Sequence, residues 1–334
     1  MGSSLFPILT YVNSKGYAVV DFETTGLNPA RGDRAIEIGL VHVAPDGTLE
    51  DEHETLIRVH RDIGAQWIHH ISAVELIHAP EFEGIARELR DLLAGRVFVA
   101  HNVAFDSKFL LSEYRRLGTD IPVNSHTMLC TMKLSRSLIG VGSLADCCRE
   151  FGIDNEDAHS ALSDAHATAL LLGRLMDADS KWSGWRRRLD AAEEAGEHWP
   201  ELKSLGRREW LPRRSHVENN LQCMIGGTSA IGTGNAIGAD DTTGFNPPLP
   251  KDFRLHVGDK IVLTGSMRQR RSDWEAELES MGLEVRPYVT KQVRLVVAAD
   301  PYSESTKARK ARDYGIPIVA EHWLEQAMVN GIDY

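Results

Sequence analysis

Residues 17–26 read YAVVDFETTG, an apolar run that ends in two carboxylates and a sharp turn. A short run rich in valine and aromatic residues predicts a β-strand. Because side chains alternate along a strand, Asp21 and Glu23 lie on the same face. A divalent cation would offset their mutual repulsion, although an isolated pair of this kind also fits a solvated strand end. The stretch therefore predicts a strand that carries a candidate metal-binding pair.

The pair is not isolated, because two further stretches carry acidic residues. Residues 100–109 read AHNVAFDSKF and place Asp106 in the first turns of a predicted helix that follows a short buried strand. Residues 159–164 read HSALSD and place His159 and Asp164 near the start of a long predicted helix. A histidine has an unperturbed pKa of about 6.5, so His159 is a candidate proton acceptor near neutrality.

The elements around these stretches predict an α/β fold. An antiparallel meander is expected over strands 17–22, 35–43 and 55–59, with a turn at 45–47, and a further strand over 96–100. Helices are expected over 82–93, 104–117, 143–151 and 161–176. Hairpin strands followed by alternating helices and strands are typical of a mixed sheet with helices on its faces.

In this order, the stretches DFETTG, HNxxFD and HxxxxD resemble the three motifs of the DEDDh (DnaQ-like) 3′→5′ exonucleases. That family includes the proofreading ε subunit of bacterial replicative polymerases. The resemblance covers about residues 15–177 and implies an RNase H-like fold and two divalent cations, Mg²⁺ or Mn²⁺. It further implies that the four carboxylates bind the metal ions and that the histidine is the general base for the attacking water. The implied catalytic residues are Asp21, Glu23, Asp106, His159 and Asp164.

The same resemblance implies a pocket for the terminal nucleotide. The turn after the first motif would contact this nucleotide, with the apolar side chain at position 27 wedged against the base, and two residues of the second motif would line the pocket. Turn chemistry or core packing is the alternative for each of them. The implied nucleotide-binding residues are Thr24, Thr25, Gly26, Leu27, Asn102 and Phe105.

Residues 252–334 predict a second, smaller α/β unit. Strands are expected over 260–263, 284–288, 295–298 and 316–319, and helices over 272–281, 306–314 and 321–330. Residues 258–265 (GDKIVLTG), residues 301–310 (PYSESTKARK) and the late Trp323 together resemble a BRCT domain, which implies a parallel four-stranded sheet flanked by helices. Met281-Gly282 departs from the Gly-Gly that a more typical member carries there.

In phosphate-binding members of that family, a hydroxyl residue, a glycine and a lysine hold the phosphate. The matching residues here are Thr264, Gly265 and Lys307. A hydroxyl, a backbone N–H and an ammonium at a helix N-terminus make an anion site. Arg268, Arg270 and Arg271 could extend it. The alternative is a simple turn beside a solvated basic face.

Four segments are expected along the chain. They are an exonuclease domain over 1–177, a Trp/Arg-rich helical extension over 178–223, a flexible Gly/Thr/Pro linker over 224–251 and a BRCT domain over 252–334. The excess acid of the chain lies in the first segment, which holds 15 Lys and Arg against 25 Asp and Glu. Nucleic-acid binding would therefore depend on the basic clusters at 186–188, 207–208 and 268–271 and weaken with salt.

Composition excludes several classes of protein. The chain has 334 residues and no apolar run of 18, so no transmembrane helix and no membrane partner are expected. Residues 1–10 lack the pattern of a secretory signal, and the four cysteines form no CxxC pair. Reduced thiols in a bacterial-type, cytoplasmic and nucleoid-associated protein are the resulting expectation.

The leading hypothesis is a metal-dependent 3′→5′ exonuclease for proofreading or repair, acting on single-stranded DNA or DNA 3′ ends. The BRCT domain would recruit it to DNA ends or to a polymerase or repair protein. Two alternatives stay open. One is a 3′ exoribonuclease, since relatives trim RNA with the same five residues, and the other is a catalytically silent scaffold that binds phosphorylated protein.

Overall fold

The computed structural model describes residues 14–155, 159–202, 209–213, 246–250 and 252–330. Within these residues the chain forms two compact units. The first runs over Met1–Glu23, Pro29–Thr55 and Pro80–Leu211, and the second over Thr24–Asn28, Leu56–Ala79 and Pro212–Tyr334. These bounds differ from the four expected segments, which stay a prediction. The expected linker falls mostly outside the described residues.

The first unit is built on a five-stranded sheet, and the sequence predicts its mixed character and four of its strands. The strand order is β3-β2-β1-β4-β5, with β1 parallel to β4 and β4 parallel to β5. The strands are β1 Tyr17–Thr24, β2 Ala35–Val43, β3 Leu49–Leu56, β4 Val97–Ala100 and β5 Met128–Cys130.

Two details of this sheet differ from the sequence prediction. The third strand begins at Leu49 and not at Thr55, because its residues LEDEHETL are largely polar and hide the strand pattern. Strand β5 was not predicted, since three residues are too few to show a periodicity.

Helices lie between and after these strands. A 3₁₀ turn covers Pro29–Arg31. The helices up to residue 200 are α1 Gln66–His69, α2 Ala73–Leu76, α3 Phe82–Leu93, α4 Val103–Arg116, α5 Thr131–Ile139, α6 Leu144–Phe151, α7 Ala161–Ala178 and α8 Gly184–Gly196. Of these, α1 and α2 belong to the second unit. Among the described residues, no helix is long and apolar enough to cross a membrane.

Helix α8 extends the first unit beyond the three motifs. Trp185 and Leu189 of α8 are buried in one core with Leu172 and Leu175 of α7. The indole N–H of Trp185 donates to the carbonyl oxygen of Asp179 at 2.8 Å. The tryptophan-rich segment therefore packs on the sheet domain over the length of α8.

Strand β2 holds the start of α7 at close range. A Cβ built on Gly39 would lie 2.3 Å from the carbonyl carbon and oxygen of Ala161, so only glycine permits this approach. The carboxylate of Glu37, in the same strand, accepts the backbone N–H of Ala161 at 3.2 Å. It thereby satisfies one of the N–H groups that a helix start leaves without a partner. The position of Asp164, one turn further on, depends on this contact.

We expect Gly39→Ala to separate α7 from β2 and to destabilise the first unit by roughly 1–3 kcal/mol, the usual cost of overpacking. The matched control is Gly173→Ala in the same helix, where a Cβ would meet only the carbonyl oxygen of Gly47 at 3.5 Å. The control should be neutral or gain up to about 1 kcal/mol, because alanine favours helix. Urea unfolding followed by tryptophan fluorescence measures both variants. Equal midpoints for the two would contradict the role given to Gly39.

The second unit contains the parallel four-stranded sheet that the sequence predicts, in the order β7-β6-β8-β9. Its strands are β6 Lys260–Thr264, β7 Glu284–Val285, β8 Leu295–Ala298 and β9 Ile318–Ala320. Its helices are α9 Arg271–Ser280, α10 Thr306–Asp313 and α11 Glu321–Asn330. Strands β7 and β9 are shorter than expected, but the order of elements agrees.

Each face of this sheet buries its own core. Trp274 and Leu278 of α9 pack with Leu324 of α11 in one cluster. Ala308 and Ala311 of α10 pack in the other. Trp323, one of the residues on which the BRCT resemblance rests, is partly buried and packs against the first of these clusters.

Residues 56–79 also belong to the second unit, and His69 is their buried polar centre. Its Nε2 lies 3.1 Å from the carbonyl oxygen of Ile63, so that nitrogen carries the proton. Its Nδ1 accepts the backbone N–H of Ile71 at 3.0 Å. Burial lowers the pKa of His69 from 6.5 to about 4, and the charges of Arg213 and His70 lower it further, against the raising effect of the hydrogen bond to Ile63.

This pKa predicts a loss of stability in mild acid. The unfolded chain protonates His69 below about pH 6.5 and the folded chain does not, so stability falls as the pH drops from 6.5 toward 4. At pH 5 the loss is about 2 kcal/mol from this residue. Thermal midpoints of the wild type at pH 7 and pH 5 should therefore differ more than those of His69→Gln. The exposed neighbour supplies the control, since His70→Asn should keep the wild-type slope. A His69→Gln slope equal to that of the wild type would refute the assignment.

Candidate active site

Three elements bring the predicted carboxylates together in the first unit. Asp21 and Glu23 lie at the end of β1, Asp106 lies in the first turn of α4, and Asp164 lies in the first turn of α7. The Oδ1 of Asp106 accepts the backbone N–H of Phe22 at 3.3 Å, which ties α4 to β1. The local sequence sets the position of each carboxylate within its strand or helix. The order of the strands then brings the carboxylates together at one edge of the sheet.

Burial and mutual repulsion make it unfavourable for all of these carboxyl groups to be charged at once. Burial raises the pKa of Asp21 well above its usual range, and the charges of Asp106, Asp164 and Glu23 raise it further. Burial also raises the pKa of Asp106 to about 7, against the lowering effect of the Phe22 N–H. Buried carboxylates that repel one another need a positive charge among them.

The donor set fits a divalent cation. One ligand atom each of Glu23, His159 and Asp164 lies within 4.8 Å of the other two. Carboxylate oxygens are the ligands that Mg²⁺ prefers, and imidazole suits transition metals. The cluster of carboxylates on β1, α4 and α7 could therefore hold a metal ion.

His159 stands in an unusual backbone conformation just before α7. Its φ is 71°, in the left-handed region that residues other than glycine seldom adopt. Its backbone N–H donates to Oδ2 of Asp164 at 3.3 Å, and its side chain is exposed. Strain of this kind is common at functional sites, where the surrounding structure holds it. The histidine is thus placed beside the carboxylates and remains open to solvent.

Two residues that the sequence analysis did not single out support the site. The amide of Asn155 donates to Oδ1 of Asp164 at 2.7 Å, and its own oxygen accepts the hydroxyl of Ser163 at 2.8 Å. Glu37 is fully buried and anchors α7 through Ala161, and its charge also raises the pKa of Asp21. A carboxylate inside the apolar strand AIEIGLVHV was a readable signal for Glu37. No local pattern indicates Asn155.

His101, in the second motif, has a structural place. Its Nε2 lies 2.9 Å from the carbonyl oxygen of Gly142, and its Nδ1 lies 3.0 Å from the hydroxyl of Thr131. A carbonyl can only accept, so Nε2 carries the proton. Burial lowers the pKa of His101, which keeps the ring neutral and able to accept from Thr131. The ring thereby fixes the chain between β4 and α4.

The residues predicted to bind a nucleotide are divided between the two units. In the second unit, the Leu27 side chain is 76% exposed and is therefore accessible to a nucleotide base. The Thr24 hydroxyl donates to the carbonyl oxygen of Gly26 at 2.7 Å. In the first, Asn102 precedes α4 and is exposed, whereas the Phe105 ring packs on that of Phe109 at 5.0 Å. Thr24 thus shows turn chemistry and Phe105 partial packing. Their binding roles stay predictions.

The predicted phosphate site lies at the end of β6 in the second unit. The hydroxyls of Thr264 and Ser305 are 3.3 Å apart, and Nζ of Lys307 donates to the carbonyl oxygen of Leu263 at 3.0 Å. Burial lowers the pKa of Lys307, and the charge of Arg271 lowers it further. Two positive charges that repel each other, with a hydroxyl beside them, would favour the binding of an anion. Gly265, with φ of 89°, completes the turn.

The basic clusters are partly engaged within the chain. Arg186 pairs with Asp190 at 2.7 Å, and Nε of Arg188 donates to the carbonyl oxygen of Met128 at 2.8 Å. In the third cluster, Nη2 of Arg271 donates to the carbonyl oxygen of Gly265 at 3.4 Å. Residues 207–208 lie outside the described ranges.

Family comparison places a known domain on each of the two motif regions. Residues 18–172 match the model of the RNase_T exonuclease family, and residues 255–328 match that of the BRCA1 C-terminus (BRCT) domain. The two matched regions are thus similar to an exonuclease domain and to a BRCT domain, respectively.

Individual relatives cover parts of the chain. A PolC-type DNA polymerase III of Staphylococcus aureus is 32% identical over 165 residues, which are 48% of this chain and 11% of that polymerase. The nuclease domain of 3′hExo, described as a DEDDh family member bound to rAMP, is 17% identical with a TM-score of 0.43, over 53% of this chain and 93% of that one. A zinc-bound complex of E. coli ExoI with single-stranded DNA is 16% identical with a TM-score of 0.45, over 49% and 41%. Structural similarity of this degree carries no argument about activity.

Because the carboxylates repel one another, removing one of their charges should stabilise the protein when no divalent metal is present. At pH 8 without divalent metal, Asp106→Asn should raise the thermal midpoint by roughly 2–8 °C, because one buried like charge is removed while an oxygen still accepts from Phe22. Saturating Mg²⁺ should raise the midpoint of the wild type and leave that of the variant nearly unchanged.

Differential scanning calorimetry measures both effects. Asp120→Asn is the control, since Asp120 is exposed, pairs with Arg115 and should leave both midpoints unchanged. A metal-free Asp106→Asn protein less stable than the wild type would show that the carboxylates do not oppose the fold.

Proposed function

We propose that this protein is a metal-dependent 3′→5′ exonuclease that releases nucleotides from DNA 3′ ends. The observation that carries the proposal is the cluster of Glu23, His159 and Asp164, with Asp21 and Asp106 buried beside it. The match to the exonuclease family model covers these five residues. Their chemistry matches the role that the sequence motifs imply for each.

The four carboxylates would hold two divalent cations, Mg²⁺ or Mn²⁺. When bound, such ions stabilise the charge on the attacking and leaving oxygens of a phosphodiester in an in-line displacement. The protein's own contribution is to fix the ligands before the substrate arrives. Asn155 and the Phe22 N–H orient Asp164 and Asp106, respectively, through hydrogen bonds of 2.7 and 3.3 Å.

His159 would accept the proton of the attacking water on a ring nitrogen. Its position beside Glu23 and Asp164 keeps two negative charges close to the imidazolium that forms. Its exposure lets the ring return the proton to solvent after each turnover. The backbone hydrogen bond to Asp164 holds the histidine at this place.

The substrate and partners are inferred from domain content. A PolC-type DNA polymerase is the relative with 32% identity, and a BRCT domain accompanies the nuclease, which favours DNA and a role in replication or repair. The BRCT domain would recruit the nuclease to DNA ends or to a polymerase or repair protein. A cytoplasmic, nucleoid-associated location follows from this role. RNA remains the alternative substrate, and a silent scaffold the alternative function.

His159→Ala should lower the turnover number by roughly 10²–10⁴, the usual size of a general-base effect. His166→Ala is the matched control, because His166 lies in α7, the helix that begins just after His159, is partly exposed and pairs with Glu52. Steady-state hydrolysis of a labelled oligonucleotide at saturating Mg²⁺ measures both. Unchanged turnover in His159→Ala would remove the general-base role and leave the metal site intact.

The direction and substrate are tested on 5′-labelled single-stranded DNA and matched RNA with Mg²⁺, Mn²⁺ or EDTA. We expect a ladder that shortens from the 3′ end, faster on DNA, and absent in EDTA and in Asp164→Asn. Faster trimming of RNA would select the exoribonuclease. Intact oligonucleotides under every condition, combined with capture of a phosphopeptide that depends on Lys307, would select the scaffold.

A further inference from the structure

Within the second unit, the loop between β8 and α10 holds residues 56–79. Asp300 of this loop is buried, and its Oδ2 accepts the backbone N–H of Ala73 at 2.7 Å and the side-chain amide of Gln66. Its Oδ1 accepts the backbone N–H of Tyr302 at 2.7 Å, which fixes the carboxylate within its own loop. One buried carboxylate thus joins this loop to α1 and to the start of α2.

Two further residues of the same loop bind the beginning of this segment. Glu304 accepts Nη2 of Arg58 at 2.6 Å and pairs with a ring nitrogen of His60. The hydroxyl of Ser303 donates to Oδ2 of Asp62 at 3.4 Å. The side chains of Arg58 and Glu304 are partly buried, so salt screens their attraction less than that of a surface pair. The loop therefore contacts the segment at several points along its length.

The segment packs in turn against the residues that follow β1. The Oδ1 of Asp62 accepts the backbone N–H of Gly64 at 3.0 Å. Gly64 lies so close to Thr25 that a Cβ built on it would be 2.3 Å from the Thr25 carbonyl oxygen. Because backbone lies directly on backbone here and Thr25 is buried, a displacement of Gly64 must also displace Thr25.

Thr25 lies in a turn, Thr24–Asn28, that belongs to the second unit although it directly follows Glu23 in the chain. Most of the residues predicted to bind the terminal nucleotide lie in this turn. Its Leu27 side chain is exposed, whereas Thr25 is buried against the segment. The turn is thus joined covalently to a candidate metal ligand, while its packing comes from the unit that contains the C-terminal sheet.

We propose that the loop between β8 and α10 positions the nucleotide-binding turn of the nuclease by way of residues 56–79. Asp300 and Glu304 are then positioning residues for substrate binding, a task beyond the recruitment proposed for the C-terminal region. The inference rests on the proposed nuclease function, since it concerns the turn that would contact the terminal base. When these contacts are lost, fewer molecules hold the turn in its binding conformation, and the apparent affinity for substrate falls in proportion.

Steady-state hydrolysis of single-stranded DNA by the full-length protein, at saturating Mg²⁺, tests the proposal. Glu304→Ala and Asp300→Asn should each raise KM roughly three- to tenfold, because each removes a contact to the segment. The kcat should stay within about twofold of the wild type, since saturating substrate restores the conformation of the turn. Glu284→Ala is the matched control, because it removes a glutamate of the same unit that pairs with Arg286. It should leave both constants unchanged.

A double-mutant cycle tests whether the ion pair itself carries the effect. Arg58→Ala should raise KM as Glu304→Ala does, and the double variant should be no worse than either single variant, because the two residues share one contact. A KM for the double variant equal to the product of the two single effects would overturn the proposal. So would an unchanged KM in both Glu304→Ala and Asp300→Asn.

A substrate whose 3′-terminal residue lacks a base separates positioning of the turn from a general weakening of the protein. On this substrate the variants and the wild type should share one KM, because Leu27 and its neighbours have no base to contact. An equal rise of KM on the abasic and the intact substrate would show that the loop acts on something other than the turn, and would overturn the proposal.

Amide hydrogen exchange, measured in EDTA without DNA, reports the same coupling without hydrolysis. Peptides that cover residues 24–28 should exchange faster in Glu304→Ala and Asp300→Asn than in Glu284→Ala, because the turn opens more often. Faster exchange in a protein that hydrolyses no oligonucleotide would refute the nuclease and keep the coupling. Active variants with unchanged exchange at residues 24–28 would refute the coupling and keep the nuclease.

Discussion

Electrostatic repulsion among the carboxylates that β1, α4 and α7 bring together is the constraint on which the first unit depends. Burial raises the pKa of Asp21 and Asp106, so in the absence of metal this corner of the fold works against its own stability. The packing of the sheet and its helices must outweigh that cost. A divalent cation would turn this cost in stability into a gain, because the same carboxylates would then be its ligands. The same cluster of carboxylates thus destabilises the metal-free fold and favours the binding of a divalent cation.

The residues that hold this arrangement lie mostly outside the acidic motifs. Gly39 lets α7 approach β2, and Glu37 accepts the first N–H group of that helix, from Ala161. Asn155 orients Asp164, and the ring of His101 fixes the chain before α4. Each acts on the position of a carboxylate and not on its chemistry. Small displacements at such supports matter because catalytic groups work only within narrow limits of distance and angle.

Carboxylates have the opposite role in the second unit. Asp300, Glu304 and Asp62 are each matched with N–H donors, a hydroxyl or cations, so burial there is compensated by hydrogen bonds. These contacts join residues 56–79 to the C-terminal sheet, although the exonuclease family match runs through them. Sequence families and compact units therefore divide this chain differently. The reason is that a family match depends on shared sequence motifs, whereas a compact unit is defined by the residues that contact one another.

Two α/β folds are readable from the sequence alone, and so are the candidate catalytic and phosphate-binding positions, whose roles stay predictions. Spacing and residue type suffice there, because strand alternation and helix starts are local. Tertiary structure alone decided that Asn155 and Glu37 support the site and that residues 56–79 join the C-terminal unit. It also decided that Asp62 lies against Gly265. These facts depend on contacts between residues that are far apart in the chain, such as Asp62 and Ser303 at a separation of 241 positions, and no local pattern encodes which distant surfaces meet.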